Sequence, residues 1–404
     1  MKYVSVLASV VLALGSYSVS AQQTLLLRTP DISAEHLAFV YAGDIWVAGR
    51  DGSKPRRLTS SPVAEGNPKF SPDGSQIAFA ASFENNGDVY VVPTAGGQPK
   101  RLTWHPGADT PTGWTADGNS VTVVSARETD HGRSGQLYHA SADGGLPEKQ
   151  MEARVMSAVY GADDSRLAFT SFRAAYNGLF GGSSGWKGYG GGSAPPMQIM
   201  DIADQQVNVI PGVSSTNFNP IWIDGMLYFI SDREDKLFNI YRYDSASNDV
   251  EKVSMEDLWD VRAAGGHGSD IVYEAGGRLF ALNTVDESVN EIRISISPDL
   301  PQLRTQWKNA ESAIDATDIS PSGKRAIITA RGDVFTIALD DGPTRNLTGS
   351  GSVREYSAIW SPQGEQVAYI TDSLGGQSLV IADQLGGAAI AEHRLGDFYY
   401  ELQA

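Results

Sequence analysis

The sequence predicts an all-β protein: a six-bladed β-propeller followed by the first blades of a second, incomplete β-propeller. Three observations support this prediction. A unit of roughly 40 to 46 residues recurs along the chain with about four strands in each copy. Glycine is abundant, with 43 residues in 404, which suits many tight turns and disfavours long helices. Short apolar runs alternate with phrases of turn-forming residues.

One phrase shows how each copy is built. "FSPDGSQIAF" at 70–79 is almost repeated as "WSPQGEQVAY" at 360–369. In its centre, Pro72 presets φ, Asp73 accepts backbone hydrogen bonds and Gly74 takes a positive φ, so the phrase predicts a tight turn between two strands. The flanking strands are nearly continuously apolar, as expected for sheets packed on both faces. The phrase therefore predicts a structural role and no chemistry.

Eight copies follow one another, and their spacing predicts the domains. A polar, proline-bearing stretch at 295–314 separates the sixth copy from the seventh and is typical of a link. Eight copies could form one eight-bladed ring, but the link favours a six-bladed propeller over 22–300 and the start of a second propeller over 301–404. The last strand of that second propeller lacks a closing partner. The copies span 31–59, 67–103, 113–149, 159–210, 218–254, 259–294, 316–348 and 356–383.

The N-terminus has the features of a secretory signal peptide over 1–21. Lys2 supplies the positive region, and the apolar run Val4–Leu14 is shorter than the ~20 residues that a membrane span needs. Small residues precede the expected cleavage site after Ala21. No later segment is apolar enough to cross a membrane. The sequence therefore predicts export to the bacterial periplasm and no membrane partner.

Composition excludes several classes of function. The chain has 31 Lys and Arg against 48 Asp and Glu, a net charge of -17, and such a surface repels nucleic acids and anionic membranes. The absence of cysteine excludes disulfides and thiolate chemistry.

A glycine-rich insertion interrupts the fourth copy. It contains "GGSSG" at 181–185, which matches a nucleophile elbow around Ser183, but the elbow needs a preceding strand and a following helix that these flanks do not provide. We interpret the match as coincidence and expect no labelling of Ser183 by serine-directed phosphonates. The aromatic residues of the insertion are predicted to line or cover a channel mouth, as long loops on rigid scaffolds often do. They are Tyr176, Phe180, Trp186 and Tyr189.

No metal or cofactor site is predicted. The six histidines are scattered without ligand spacing. Asp73, Asp117 and Asp163 each stand alone in a turn, which indicates capping of that turn and not a calcium site.

The ordered copies resemble the N-terminal half of bacterial tricorn-type serine peptidases, from about residue 24 to residue 404. The specific phrases are "GWKGYGGGSAPPMQIMDI", "FNPIWIDGMLYFISDRED", "DLWDVRAAGGHGSDIVYEAGG" and "SPSGKRAIITARGDVFTIALDDGPTRNLT". Single turn phrases are also shared with TolB-like and other propellers.

The resemblance implies a fold and a function. In that family a six-bladed propeller precedes a seven-bladed one, and the catalytic serine and its histidine partner lie in a later region with a PDZ-like module. No catalytic residue can therefore be assigned here, although the parent family is a hydrolase. The implied role is the non-catalytic propeller part of a secreted homo-oligomeric peptidase, guiding oligopeptide substrates and products.

The resemblance also implies basic residues that hold the carboxyl end of the substrate. The long loop of the third copy, "SARETDHGRSGQ", offers Arg127 and Arg133 with His131 between them. The alternative interpretation, solvated loop arginines, remains open at this point.

Two other functions compete. A stand-alone periplasmic TolB-like propeller would act as a protein-binding module, but such proteins carry an α/β domain before the blades, which here begin soon after the expected cleavage site. A prolyl-oligopeptidase-type propeller would have a single ring. The coding sequence beyond Ala404 discriminates among these alternatives.

Overall fold

The computed structural model describes residues 23–129, 132–173, 188–234, 236–297, 309–373 and 375–403. The chain divides into two compact units, Met1–Asp299 and Leu300–Ala404. The described residues form eight sheets of four antiparallel strands, and in every sheet the strands are adjacent in chain order. The four-stranded repeat predicted from the sequence is confirmed.

The first unit contains sheets 1 to 6. Sheet 1 consists of β1 (Arg28–Ile32), β2 (His36–Tyr41), β3 (Asp44–Gly49) and β4 (Arg56–Arg57). Sheet 2 consists of β5 (Glu65–Phe70), β6 (Gln76–Ala81), β7 (Asp88–Pro93) and β8 (Lys100–Arg101). Sheet 3 consists of β9 (Asp109–Trp114), β10 (Ser120–Ser125), β11 (Gln136–Ser141) and β12 (Glu148–Lys149). Sheet 4 consists of β13 (Ser157–Tyr160), β14 (Arg166–Thr170), β15 (Gln198–Asp201) and β16 (Val207–Val209). Sheet 5 consists of β17 (Asn217–Ile223), β18 (Met226–Ser231), β19 (Asn239–Asp244) and β20 (Asp249–Lys252). Sheet 6 consists of β21 (Val261–His267), β22 (Asp270–Ala275), β23 (Arg278–Asn283) and β24 (Val289–Ile292).

The second unit contains sheets 7 and 8. Its described part begins with a short 3-10 helix, Glu311–Ala313, inside the predicted link. The sheets are formed by β25 (Ile314–Ile319), β26 (Arg325–Ala330), β27 (Asp333–Ala338) and β28 (Arg345–Asn346), and by β29 (Glu355–Trp360), β30 (Gln366–Thr371), β31 (Gln377–Asp383) and β32 (Ala391–Gly396).

The repeated turn phrase folds as predicted. The Gly74 N–H donates to the carbonyl of Ser71 at 2.8 Å, and Gly74 has a φ of 71°. The Asp73 carboxylate accepts hydrogen bonds from the Ser71 hydroxyl at 2.6 Å and from the Ser75 N–H at 3.0 Å. Glycine is required here because a side chain would strain the left-handed backbone.

Two further phrases recur in the first copies, Gly-Asp at 43–44 and 87–88 and Arg-Leu-Thr at 57–59 and 101–103, and they fix the outer half of a sheet. In sheet 2, the Thr103 hydroxyl accepts the Val89 N–H at 3.0 Å and donates to Asp88 at 3.2 Å. The same carboxylate pairs with Arg101 at 2.6 Å. Because a buried charge is costly unless it is paired and hydrogen-bonded, the two phrases occur together in one sheet.

The apolar core lies between successive sheets. Each sheet of the first unit shares a cluster of buried side chains with the next one, and sheet 6 shares another with sheet 1. In that last cluster, Val272 and Leu279 of sheet 6 pack with Leu37 and Phe39 of sheet 1. Burying one such side chain is worth about 1.5–3 kcal/mol, so the contact between sheets 6 and 1 is a substantial part of the stability of the unit.

The structure corrects the boundaries of the copies. Most first strands begin two to four residues before the apolar pattern does, as with β1 at Arg28 and β9 at Asp109. The residues at these starts are mostly polar, as with Arg28 and Asp109, so they fall outside the apolar pattern. The predicted signal peptide, residues 174–187 of the insertion and most of the link lie outside the described residues.

Candidate binding cavity

The first strands of sheets 1 to 6 surround one cavity of about 650 Å³. All six of these strands, β1, β5, β9, β13, β17 and β21, contribute to its lining. Each is an edge strand of its sheet, paired on one side only. The backbone groups on the unpaired edge are therefore not used within the sheet.

Four of the first strands carry a proline in the cavity wall, and in three of them, Pro30, Pro68 and Pro220, it occupies the same position relative to the register shift of the strand. The four prolines are Pro30, Pro68, Pro111 and Pro220. Proline has no N–H, so it is tolerated on an edge strand. In three of these strands the preceding residue has a positive φ, and the strand has a register shift at that point. The repeated X-Pro phrase is the sequence signal that could locate the cavity.

The cavity carries an excess of positive charge although the whole chain is acidic. Among the residues that the structure describes, its lining includes four cationic side chains and a single carboxylate, that of Glu274. The cationic residues are Arg28, Lys69, Arg173 and Arg262.

Glu274 is the buried acidic residue of this wall. Its side chain is 2% exposed, it pairs with Arg28 at 3.1 Å, and it accepts the Thr29 N–H at 3.0 Å. Burial raises the pKa of Glu274, against the lowering effects of the Thr29 N–H and of Arg28 and Arg262. Lys69 lies 3.8 Å from Asp31.

Arg127 is held within sheet 3. Its guanidinium pairs with Asp109 at 2.6 Å, donates to the Ser125 hydroxyl at 2.7 Å and lies 4.7 Å from the centre of the Tyr138 ring. The Asp109 side chain is fully buried and that of Arg127 is 11% exposed. Removing one member of such a pair leaves a buried charge uncompensated, so Arg127 contributes to the stability of the sheet. This side chain is not part of the cavity lining.

Arg133 lies beside the cavity. It donates to the carbonyls of Arg173 and Ser193, the latter at 3.1 Å, and its guanidinium lies 5.4 Å from the centre of the Phe172 ring. Phe172 and Arg173 both line the cavity, so Arg133 supports that part of the wall.

Comparison with known proteins identifies the family. The model of the tricorn protease N-terminal β-propeller domain matches residues 24–288. The chain belongs to this family. Tricorn protease homolog 1 of Streptomyces coelicolor is 26% identical over 372 residues, covering 91% of this chain and 34% of that protein. A tricorn protease homolog of Saccharolobus solfataricus is 23% identical over 340 residues, covering 84% and 31%.

A solved structure agrees with the fold of this tricorn-type chain. The crystal structure of the tricorn protease superposes with a TM-score of 0.71 at 21% identity, covering 93% of this chain and 36% of that one. At this identity the likeness shows the fold alone. The chain spans about a third of the length of the curated relatives it matches.

The tricorn resemblance assigned carboxylate anchoring to Arg127 and Arg133, and that role stays a prediction for both residues. Tyr189, predicted to line a channel, borders a separate depression of about 380 Å³ together with Asp232 and Arg233. Trp186, Ser183 and His131 lie outside the described residues.

The acidic turns are capped from within. The Asp117 carboxylate accepts the Thr115 hydroxyl at 2.6 Å and the Asn119 N–H at 3.0 Å, and these bonds lower the pKa of Asp117. Within the described ranges, no three His, Asp or Glu side chains lie close enough together to hold a metal ion. The same part of the chain contains no helix that is long and apolar enough to span a membrane.

Proposed function

We propose that this chain is the non-catalytic propeller part of a secreted tricorn-type serine peptidase. In this proposal the cavity of the first unit guides oligopeptides to and from a catalytic region that lies elsewhere in the full-length protein. The observation that carries the proposal is the single cavity surrounded by the first strands of six sheets in a chain of this family.

The cavity wall suits an extended peptide. Each first strand is an edge strand, so the outer backbone groups that a neighbouring sheet does not already bond are proposed to bond to a peptide backbone. The N–H of Phe70 and the N–H and carbonyl of Ala264 are already bonded in this way, to Asp31 and Asn219. Pro30, Pro68, Pro111 and Pro220 remove donors from four of these edges. A wall with fewer donors favours passage of a peptide over its stable addition as a further strand.

The proposal includes a specific architecture. The six sheets of the first unit, with sheet 6 packed on sheet 1, support a six-bladed propeller over 22–300. Sheets 7 and 8 are proposed to begin a second propeller, of the seven-bladed type, over 301–404.

A repeated contact supports the second propeller. The side chain of Asn219 in β17 accepts a hydrogen bond from the Ala264 N–H in β21 at 3.1 Å and donates one to the Ala264 carbonyl at 2.8 Å. Ser357 of β29 bonds to Leu402 in the same way, at 2.8 Å from the N–H and 3.4 Å to the carbonyl. Both pairs are 45 residues apart. The segment around Leu402 is therefore proposed to correspond to the first strand of another sheet.

Export and assembly belong to the same proposal. The apolar run Val4–Leu14 and the small residues before Ala21 support cleavage after Ala21 and a periplasmic location. Membership of the tricorn family supports a homo-oligomer. N-terminal sequencing of the protein from a periplasmic fraction tests the cleavage, and a start at Gln22 is the expected result.

Filling the cavity tests the guiding role. Ala263 lines the cavity, so Ala263→Trp is expected to weaken binding of a fluorescent five-residue peptide at least tenfold in an anisotropy titration. Ala246→Trp is the matched control, because Ala246 is exposed in the turn between β19 and β20. Unchanged binding by Ala263→Trp, or no binding by the unaltered chain, contradicts the proposed function.

A further inference from the structure

We infer that the cavity of the first unit selects oligopeptides with acidic side chains, which approach it from one end only. This inference rests on the proposed function and adds a substrate class and a direction to it. The charges at the two ends of the cavity carry the argument.

Three arginines lie at the same end of the cavity. Arg28 is the first residue of β1, Arg262 is the second residue of β21, and Arg173 follows β14, whose last residue Thr170 pairs with the first residue of β13. We call this the arginine end. Among the described residues that line this end, three are arginines and one, Glu274, is a carboxylate, so the lining carries a net positive charge.

The opposite end is acidic. Two turns of each sheet lie at this end: the turn between the first and second strands and the turn between the third and fourth strands. Together these turns form a surface that we call the turn face. Counted with the strand residues that bound them, these turns of sheets 1 to 6 contain 16 Asp and Glu (35, 51, 73, 117, 143, 148, 163, 164, 201, 204, 224, 244, 249, 270, 286 and 287) and 5 Lys and Arg (50, 54, 56, 100 and 166).

Three carboxylates of the turn face are stabilised in the charged form. Hydrogen bonds from serine hydroxyls and backbone N–H groups lower the pKa of Asp73 and Asp163, and the same kind of bond lowers that of Asp286. The negative charge of these three carboxylates therefore persists at neutral and mildly acidic pH. It repels anionic peptides, while the arginine end attracts them.

The wall near Lys69 offers no comparable attraction. Lys69 is the fifth of the six residues of β5 and therefore lies near the turn face. Its Nζ atom lies 3.8 Å from the Asp31 carboxylate. Its charge is largely balanced by that neighbour. An acidic side chain in the cavity is therefore held at the arginine end, where charge-assisted hydrogen bonds from guanidinium groups are the strongest available contacts.

Two matched peptides test the selection. Both have five residues, an acetylated N-terminus and an amidated C-terminus, and they differ only in carrying two glutamates or two lysines. Anisotropy titrations with the 404-residue chain at low salt are expected to show at least tenfold tighter binding of the glutamate peptide. The difference should shrink as the salt concentration rises, because screening shortens the range of the attraction.

Two arginine variants test the direction. Arg173→Gln removes one charge from the arginine end at an exposed position and is expected to weaken binding of the glutamate peptide about three- to tenfold. Arg50→Gln is the matched control, because Arg50 pairs with Asp270 on the turn face. It should change the affinity by less than about twofold, since it leaves the arginine end intact.

The outcomes separate this inference from the proposed function. Equal binding of the two peptides overturns the selection by charge and leaves the guiding role intact. Equal weakening by Arg173→Gln and Arg50→Gln overturns the direction. If neither peptide binds, both the inference and the proposed function are wrong.

Discussion

Sheets 1 and 7 contain the same phrase, Asp-Ile-Ser, at 31–33 and 318–320, but they bury it very differently. Ile32 is 4% exposed, whereas Ile319 is 60% exposed. Both isoleucines are the last residue of a first strand. The repeat therefore determines the strand, and the neighbouring sheet determines whether its side chains are buried.

The second strands show which neighbour is responsible. Ala38 in β2 and Ile327 in β26 face the following sheet, and both are fully buried. Leu37 and Phe39 face sheet 6 and are also fully buried, whereas the equivalent Ile328 is only half-buried. Sheet 1 is covered on both faces because sheet 6 packs on it. Within the described part of the second unit, sheet 7 shares a core with sheet 8 on one face only.

The largest expected difference is between alanine substitutions of the two isoleucines. Ile32→Ala should lower the free energy of unfolding by about 2–5 kcal/mol, because it leaves a cavity between sheets 6 and 1. Ile319→Ala should change it by less than about 0.5 kcal/mol, as at other exposed positions. Urea denaturation followed by tryptophan fluorescence measures both. Similar losses for the two variants would break the comparison.

A smaller difference is expected at the backbone contacts. Asn219→Ala leaves the N–H and carbonyl of the buried Ala264 without these partners and should cost about 1–3 kcal/mol. Ser357→Ala should cost about 0.5–1.5 kcal/mol, since Leu402 is only half-buried.

The control for these variants is Asn248→Ala. Asn248 has a φ of 60° in an exposed turn, close to the 52° of Asn219, and its side chain accepts only an exposed hydrogen bond from the Tyr243 hydroxyl at 3.0 Å. It therefore measures the cost of a left-handed alanine without the backbone contact. A loss for Asn248→Ala as large as that for Asn219→Ala would show that the backbone bonds contribute little.

The smallest effect at neutral pH is expected at Asp31. Its carboxylate accepts the Phe70 N–H at 2.7 Å, and burial raises the pKa of Asp31 against the opposing effects of Lys69 and of that N–H. Because the pKa of Asp31 is higher in the folded protein than its unfolded value of about 3.8, the protonated carboxyl stabilises the fold at low pH. This contribution is fully present below the unfolded pKa and is lost as the pH rises through the folded pKa.

Asp31→Asn should remove that pH dependence. The slope of unfolding free energy against pH should become less negative just above pH 4, by at most about 1.4 kcal/mol per pH unit, since one proton is involved. At pH 7 the stability should change by less than about 1 kcal/mol, because asparagine can still accept the Phe70 N–H. Asp318→Asn is the matched control, since Asp318 accepts the Trp360 N–H at 2.9 Å while half-buried. A steeper slope in Asp31→Asn would contradict the assignment.

The sequence was sufficient for features that are local. The turn at Ser71–Gly74 lies within one copy, so its residue types predict it directly. The position of Arg127 could not be predicted, because its partner Asp109 lies at the start of the first strand, outside the apolar pattern of the copy. Its loop therefore resembled a solvent-exposed site.

The cavity could not be predicted because no single copy contains it. Arg28, Lys69, Arg173 and Arg262 belong to four different sheets, and only the packing of sheet 6 on sheet 1 brings them together. Each arginine taken alone is an ordinary edge-strand or loop residue. The positive wall thus follows from the arrangement of the sheets and is opposite in sign to the net charge of -17.

The most direct test of the account compares the first unit with the whole chain. The central claim is that sheets 1 to 6 close on themselves and form the complete peptide site. Residues 22–299 alone should therefore bind the five-residue glutamate peptide with a dissociation constant within about twofold of that of the 404-residue chain. A loss of tenfold or more in the isolated first unit would contradict the claim, because the second unit would then supply part of the site.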